Sequence, residues 1–438
     1  MQSKLLARDR VACRGGKSGR IGYNLKYKNA FERNNAISVF LMGALPAVAG
    51  SVISVMLVSF LVWAVISLAF RRFEFRLTPD DRLVAWTFTA FVGLVFATAL
   101  IGENVEQIPS HTLWLLPFLS VWVVIPRLRA TPDLDYLHLF AVGAAVGAIG
   151  ALMLGLVQVV GFDQRAEGGA GNAAVFGIIS LCLAAIAGLN LDDPRRNYRM
   201  LAVAGIVAGL LAVILSLTRG VAIVAIGVLI VIVIYAPRQR LTTATRIAWL
   251  GLAVAVAAAL YGAADLIADR LLLTVEELNS VVSGESSANI GERLRLWIAG
   301  WSAIGESPLW GHGIQNRMAK VSELLVRDGL PVQHFTHAHN AFITFAIDGG
   351  IIVLGAVIAV LIVPVFVAWR APRDMHHRKR FFLALQVSLI FGLCGLTQIM
   401  FKHDIMDAFY IFSVMLVAAS IADIRARDDT KPPESSGD

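Results

Sequence analysis

Charge is scarce in this chain. Asp, Glu, Lys and Arg make up 16% of it, against about 25% in a soluble domain. A chain so poor in charge cannot cover a water-exposed surface, which excludes a soluble enzyme and a disordered scaffold. Cysteine is scarcer still. Cys13 lies in a basic tail, and Cys182 and Cys394 lie in apolar runs, so a secreted disulfide framework is excluded. There is no Walker loop, no credible dinucleotide fingerprint and no H-E-x-x-H. No cofactor is implied. Basic and aromatic residues do not interleave, so the net charge of +7 is not a nucleic-acid signal. The first 35 residues are basic and polar, with no small-residue cleavage site after a short apolar core. The first apolar run is therefore expected to remain as an anchor.

What the chain has in abundance is apolar sequence: 57% of its residues and a mean hydropathy of +0.70. Crossing a bilayer takes about 20 apolar residues. Candidate spans fall at 36–52, 53–70, 82–101, 111–126, 136–161, 171–190, 200–216, 220–236, 247–267, 343–369, 381–400 and 405–423. The expectation is an all-α polytopic membrane protein of about twelve transmembrane helices. The first two spans form one uncharged run in which Pro46 and Gly50 are the natural break. Read as a single helix, that run would give eleven spans and invert everything downstream.

The distribution of cations separates these topologies. With the N-terminus in the cytoplasm and twelve spans, 29 of the 38 Lys and Arg residues fall inside and 9 outside, a strong positive-inside bias. The expected layout is a cytoplasmic basic tail (1–35), nine spans (36–267), a large extracytoplasmic loop (268–342), three spans (343–423) and a cytoplasmic disordered tail (424–438). Loops as long as 268–342 are usually functional. Within it, Ile290, Leu294, Trp297, Ile298, Trp301 and Ile304 form one helical stripe, and Ile314, Met318, Val321, Leu324 and Leu325 a second. Short amphipathic helices lying on the membrane surface are expected. Gly- and Ala-rich stretches at 142–156 and 202–209 permit close helix packing.

Polar residues able to do chemistry gather on the expected outer side. Arg219 follows the seventh span, and only Gly220 separates it from the next apolar run. A charge so close to two spans is costly unless paired or wetted; a snorkelling interfacial arginine is the plain alternative. Arg293 is a helical neighbour of Trp297 at i, i+4, whereas Arg295 points elsewhere. A solvated helix face, with Glu292 as partner, is the plain alternative for both. His337 and His339 precede the tenth span, and at i, i+2 they face one site only in a loop or extended segment. Asn340 after them is a natural helix N-cap. Asp348, about eight residues into that span, would orient a histidine or pack against a neighbour. His312 and His334 lie in the same loop, but no zinc spacing of the usual kind is present. The Asp-x-Asp pair Asp133/Asp135 falls on the expected cytoplasmic side, which disfavours a metal-dependent nucleotide-sugar transferase. Arginines match phosphate oxygens, and a neutral histidine removes a proton from a hydroxyl. Together they suggest transfer from a lipid-phosphate donor.

These residues carry a resemblance. Ser216-Leu217-Thr218-Arg219-Gly220 ends a middle helix. Arg293 stands four residues before Trp297, followed by Pro308-Leu309-Trp310-Gly311-His312-Gly313. His339-Asn340 is followed after nine residues by Gly350. A large loop separates the ninth and tenth spans. Over about residues 200–365 the chain resembles the O-antigen ligase/polymerase superfamily of bacterial inner-membrane glycosyltransferases. It departs where the family often has a second glycine three residues after Gly350; here Val353 stands.

The resemblance implies a GT-C-like multi-pass protein of the inner membrane with a periplasmic active site. It is closest in character to the lipopolysaccharide O-antigen ligase. The implied activity is metal-independent, inverting transfer of O-polysaccharide from undecaprenyl pyrophosphate to lipid A–core. Arg219 and Arg293 would bind pyrophosphate. His339 would be the general base, with His337 in reserve, and Asn340, Arg295, Trp297 and Asp348 would support them. The implied partners are the lipid-linked donor, the lipid A–core acceptor and membrane lipids, with no nucleic acid. An O-antigen polymerase, a protein O-oligosaccharyltransferase and a lipid-linked-glycan or solute transporter are the alternatives.

Overall fold

The computed structural model describes residues 29–101, 104–236, 290–327 and 335–421, and no strand occurs among them. The expected span 247–267, the polar stretch 280–289 and most of both tails lie outside the described residues. Helices occupy each of the other expected stretches. In chain order they are α1 (Ala30–Ala44), α2 (Val52–Ala69), α3 (Pro79–Ala99), α4 (Ile108–Thr112), α5 (Val121–Arg129), α6 (Tyr136–Leu156), α7 (Ala173–Ala187), α8 (Arg196–Leu215) and α9 (Arg219–Tyr235). After the undescribed stretch come α10 (Ile290–Glu306), α11 (Arg317–Arg327), α12 (Ala341–Arg370), α13 (His377–Cys394) and α14 (Asp404–Ala419). Among the described residues seven helices are long and apolar enough to cross a membrane. The chain is a multi-pass, all-α membrane protein.

The uncharged run from Ala36 is two helices. It breaks at residues 45–51, where Gly50 takes a φ of +60° and its Cα faces the Gly169 carbonyl. Small residues then bring helices close. A Cβ on Gly143 would stand 2.1 Å from the Phe40 carbonyl oxygen, and one on Gly205 would stand 2.6 Å from Ala145 Cα. Such approach is the usual basis of helix association in lipid. α7 lies at the centre, with all but Ala174 of its 15 residues buried, and α14 is buried beside it.

The two ends of the bundle differ in charge. At one end cations are matched. Arg129 forks onto Asp81 at 2.8 and 2.9 Å, Lys379 meets Asp192 at 3.1 Å, Arg380 meets Asp374 at 2.9 Å, and Arg370 pairs with Asp80. Asp135 is an N-cap there, accepting from the His138 amide. The opposite end carries the α8–α9 turn, the start of α12 and the α13–α14 connection, with α10 and α11 laid against it.

The stripe on α10 differs from expectation. Its buried face is Leu296, Ala299, Gly300 and Ala303, while Ile298 and Trp301 are exposed. The small residues admit α12: a Cβ on Gly300 would meet the Ile343 side chain at 2.6 Å. Of the expected stripe, Trp297 and Ile304 pack against these buried residues, and Ile298 and Trp301 are left on the outer face. α11 follows its expected stripe, burying Val321, Leu324 and Leu325.

α12 is not continuous. Gly349 (φ −145°, ψ 24°) and Gly350 (φ 64°, ψ −160°) are non-helical. The Pro308–Gly313 segment enters the break and repairs its hydrogen bonding. Ile351 N, which would ordinarily donate to Ile347 O, donates to Pro308 O at 2.8 Å, and Ile347 O accepts from His312 N at 2.8 Å. Asp348 O accepts from Gly313 N at 2.9 Å. Val353 fills the space beside Gly349, where a Cβ would meet it at 2.1 Å. The departure from the family's second glycine is thus accommodated.

Only glycine tolerates the Gly350 conformation, and an added Cβ would meet the Leu309 carbonyl at 2.3 Å. Gly350→Ala is expected to cost at least roughly 1–3 kcal/mol from backbone strain alone. Gly355→Ala is the control, because a Cβ there meets nothing within 4 Å. Thermal unfolding of the detergent-purified proteins compares them, and equal midpoints would contradict the account.

Candidate active site

The His337–Asn340 segment is held at its middle. Ala338 is fully buried; its carbonyl accepts from Trp297 Nε1 at 2.9 Å, and its amide donates to Thr344 Oγ1 at 3.3 Å. Asn340 is the N-cap of α12, accepting from Ile343 N at 3.1 Å, and Ala341 N donates to Gly395 O at 2.7 Å. Asn340 and Trp297 therefore hold the loop in place. The clamp leaves both histidines on one side, with ring centroids 4.5 Å apart. His339 has φ +50°, an uncommon conformation for a non-glycine residue and one that recurs at functional sites.

The two rings are not equivalent. His337 Nδ1 is bonded to Thr336 Oγ1 at 2.9 Å, and its Nε2 is buried without a partner. His339 buries Nδ1 instead, which leaves Nε2 as the open ring nitrogen. Both are held below the ordinary imidazole pKa. Burial is the first cause for His339, with Arg293 second. His337 is pushed down to about 4 by burial, then by His339, Arg317, Lys402 and Arg293. Both imidazoles are neutral at neutral pH, the form that accepts a proton.

The structure brings Arg293 to the histidines. Arg295, two residues on along α10, influences neither. Arg219 is exposed as the first residue of α9. A cation at the positive end of a helix opposes the dipole, whereas that end suits an anion. The α8–α9 turn is fixed by Ser216, whose hydroxyl donates to Val213 O at 2.7 Å, and by Gly220, packed on Thr397. Thr397 and Gly395 lie in one connection, so the Arg219 turn and the start of α12 rest on the same short segment. Neither Arg219 nor Arg293 has an ion partner among the described residues.

Asp348 does not orient a histidine. It is fully buried, and its Oδ2 accepts from Arg317 Nη1 at 2.8 Å and from Lys402 Nζ at 3.4 Å. The helix break explains this: Gly313 binds the Asp348 carbonyl, and Arg317 opens α11 four residues later. Sequence reading passed over Arg317 and Lys402. Both stood among the nine outer cations, and that count was the one available signal. Lys402 lies near the Trp114 and Phe345 rings, at 5.9 and 5.5 Å. Burial pushes its amine down to about 8, with Asp348 pulling it back up. His312 is engaged elsewhere, its Nε2 2.7 Å from the Ala303 carbonyl oxygen. His334 lies outside the described residues. Among the described residues no three His, Cys, Asp or Glu side chains converge to hold a metal ion.

This end of the bundle thus brings together the open, neutral His339, the cations Arg219 and Arg293, and the Arg317–Lys402 pair that shares Asp348. Groups of this chemistry can receive an anion and accept a proton from a hydroxyl. Residues 204–358 match the family described as O-antigen ligase. The match covers the Arg219 turn, Arg293, the inserted loop, both histidines and the break in α12, and it ends before Lys402. No curated protein matches the chain.

Removing Asp348 strands two shielded cations, and breaking a buried pair from one side costs roughly 3–5 kcal/mol. Asp348→Ala is expected to lower the unfolding midpoint sharply, and adding Lys402→Met to recover part of the loss. An additive cycle, with no recovery, would show that the two side chains are uncoupled.

Proposed function

We propose, from the match of residues 204–358 to the family described as O-antigen ligase, that the chain joins O-polysaccharide from undecaprenyl pyrophosphate to the lipid A–core. The superfamily works on lipid-linked glycans and lipid acceptors. The observation that carries the finer reading is the pairing of an open, neutral His339 Nε2 with Arg293 beside it. The site faces the periplasm of the bacterial inner membrane, the side poor in cations by the positive-inside count.

In this mechanism His339 Nε2 takes the proton of an acceptor hydroxyl as that oxygen attacks the anomeric carbon. The bond from that carbon to the pyrophosphate oxygen breaks, and the electron pair leaves with undecaprenyl pyrophosphate. Attack opposite the leaving group inverts the anomeric centre. The leaving group is already a stable anion, so no acid is needed to protonate it. Arg219 and Arg293 neutralise the charge that grows on it; such preorganised donors are commonly the largest catalytic contribution. His337, with one nitrogen occupied and the other buried, shapes and desolvates the site.

His339→Ala is expected to reduce transfer by roughly 10²–10⁴-fold with expression intact, measured with purified donor and core acceptor, while His337→Ala retains more activity. Full activity of His339→Ala would remove that residue from the mechanism. Arg219→Ala and Arg293→Ala are expected to weaken donor use and spare acceptor binding.

A base acts when deprotonated, and the His339 pKa is lowered. The acid limb of the rate profile is therefore expected below the ordinary imidazole value of about 6.5; a limb above it would count against His339. EDTA is expected to leave the rate unchanged. Cells lacking the protein are expected to carry unsubstituted core and accumulated long lipid-linked glycan. Accumulated single repeat units would instead identify a polymerase.

A further inference from the structure

The Arg317–Asp348–Lys402 cluster sits beside the site and has no part in the mechanism above. Its stoichiometry is unusual for a structural ion pair. Two cations share a single oxygen, Asp348 Oδ2, while Oδ1 is buried with no partner. The carboxylate cancels one positive charge and leaves the other. Asp407, the next carboxyl along the α14 side, makes no salt bridge with Lys402 and acts on it only at longer range. Shielding an uncompensated cation is costly unless an anion completes it.

The donors are also underused. Arg317 gives only Nη1 to Asp348. A guanidinium has five N–H groups in a rigid fork, and neither Nε nor Nη2 of Arg317 is buried without a partner, so both stay open to a ligand. Lys402 has one long contact, 3.4 Å, and two further N–H groups. Its side chain keeps 14% of its exposure, and that of Arg317 keeps 9%. Lys402 lies 5.5 Å from the Phe345 ring, in the second turn of the helix that Asn340 caps at the end of the histidine loop, and both cations act electrostatically on His337.

We propose that Arg317 and Lys402, oriented by Asp348, form a second phosphate subsite that binds one phosphoryl group of a diphosphate while Arg219 and Arg293 hold the other. Asp348 is a positioning residue that holds both cations through one oxygen. The phosphoryl oxygens engage the open donors and supply the missing negative charge. The subsite favours a diphosphate over a monophosphate, because the second phosphoryl group brings the negative charge that the second pair of cations lacks. This inference rests on the donor assignment made under the proposed function.

The test uses the full chain in detergent, with undecaprenyl pyrophosphate and undecaprenyl monophosphate as probes, neither bearing glycan. The wild type is expected to prefer the pyrophosphate. Lys402→Met is expected to weaken pyrophosphate binding by roughly 10- to 100-fold, the scale of a lost charged hydrogen bond. It should change monophosphate binding much less, and so collapse the preference. Lys402→Arg is expected to restore part of it. If Lys402→Met does not fold, Arg317→Gln carries the same expectation. A folded variant that binds both lipids as the wild type does, within about twofold, overturns the subsite and leaves the ligase reading standing. A wild type that binds neither lipid overturns the donor assignment, and the subsite with it.

Discussion

The arrangement depends on one break in one helix. Inside a membrane protein, irregular backbone persists only where protein or a wet cavity satisfies it. α12 opens at Gly349–Gly350, and the Pro308–Gly313 segment supplies what the helix lost: a carbonyl for Ile351 N and two amides for Ile347 O and Asp348 O. The exchange is reciprocal, so neither piece is satisfied alone. It joins the loop between the ninth and tenth expected spans to the bundle at a defined height. α10 then lies against the first turns of α12, which lets Trp297 reach the Ala338 carbonyl, and α11 begins where Arg317 reaches Asp348.

The two ends of the bundle follow different electrostatic rules. At one end each of Arg129, Arg370, Lys379 and Arg380 meets a carboxylate, an arrangement that fixes helix ends. At the other end Arg219 and Arg293 have no ion partner among the described residues, and Arg317 and Lys402 share one. A protein surface can leave cations to water, but Lys402 and Arg317 are mostly shielded from it. Their excess charge also bears on the histidines. Burial first, and Arg293 second, hold His339 in the form that accepts a proton, while Arg317 and Lys402 add to the burial that does the same for His337. One charge distribution thus serves both halves of the proposed chemistry, anion capture and base poise.

Much of this was legible in the sequence, because hydropathy and cation counts report membrane position directly. The break near Pro46 and Gly50, the Asn340 cap and the i, i+4 placement of Arg293 and Trp297 follow from local rules of turns, capping and helical spacing, whereas a site shared by Arg293 and His339 was implied only by the resemblance. The partner of Asp348 was not legible. Arg317 is 31 residues away and Lys402 is 54, and no periodicity links positions brought together by a helix break. The buried face of α10 was misread for a related reason. Hydrophobic periodicity weighs large side chains, whereas this contact selects small ones, so Ala299, Gly300 and Ala303 turn inward and Trp301 outward. The Gly350 motif was visible as a motif, but its purpose appears only with the loop that enters beside it.

The break also bears on why a carboxylate sits in this part of α12. In an unbroken helix the Asp348 carbonyl would be occupied within its own ladder, and the side chain would project at a fixed angle among α3 and its neighbours. The opening gives the Asp348 carbonyl to Gly313 and so brings Arg317 to the Asp348 carboxylate. Lys402 then approaches the same oxygen from the α13–α14 connection, the segment that also supports the Arg219 turn and the start of α12. Three parts of the chain, none adjacent in sequence, are held together through Asp348 and that connection. A ligand that engages the cations there also touches the supports of the histidine loop and of Arg219. In the proposed reading, binding of the phosphates and placement of the base are then coupled mechanically, through the connection that carries Gly395, Thr397 and Lys402.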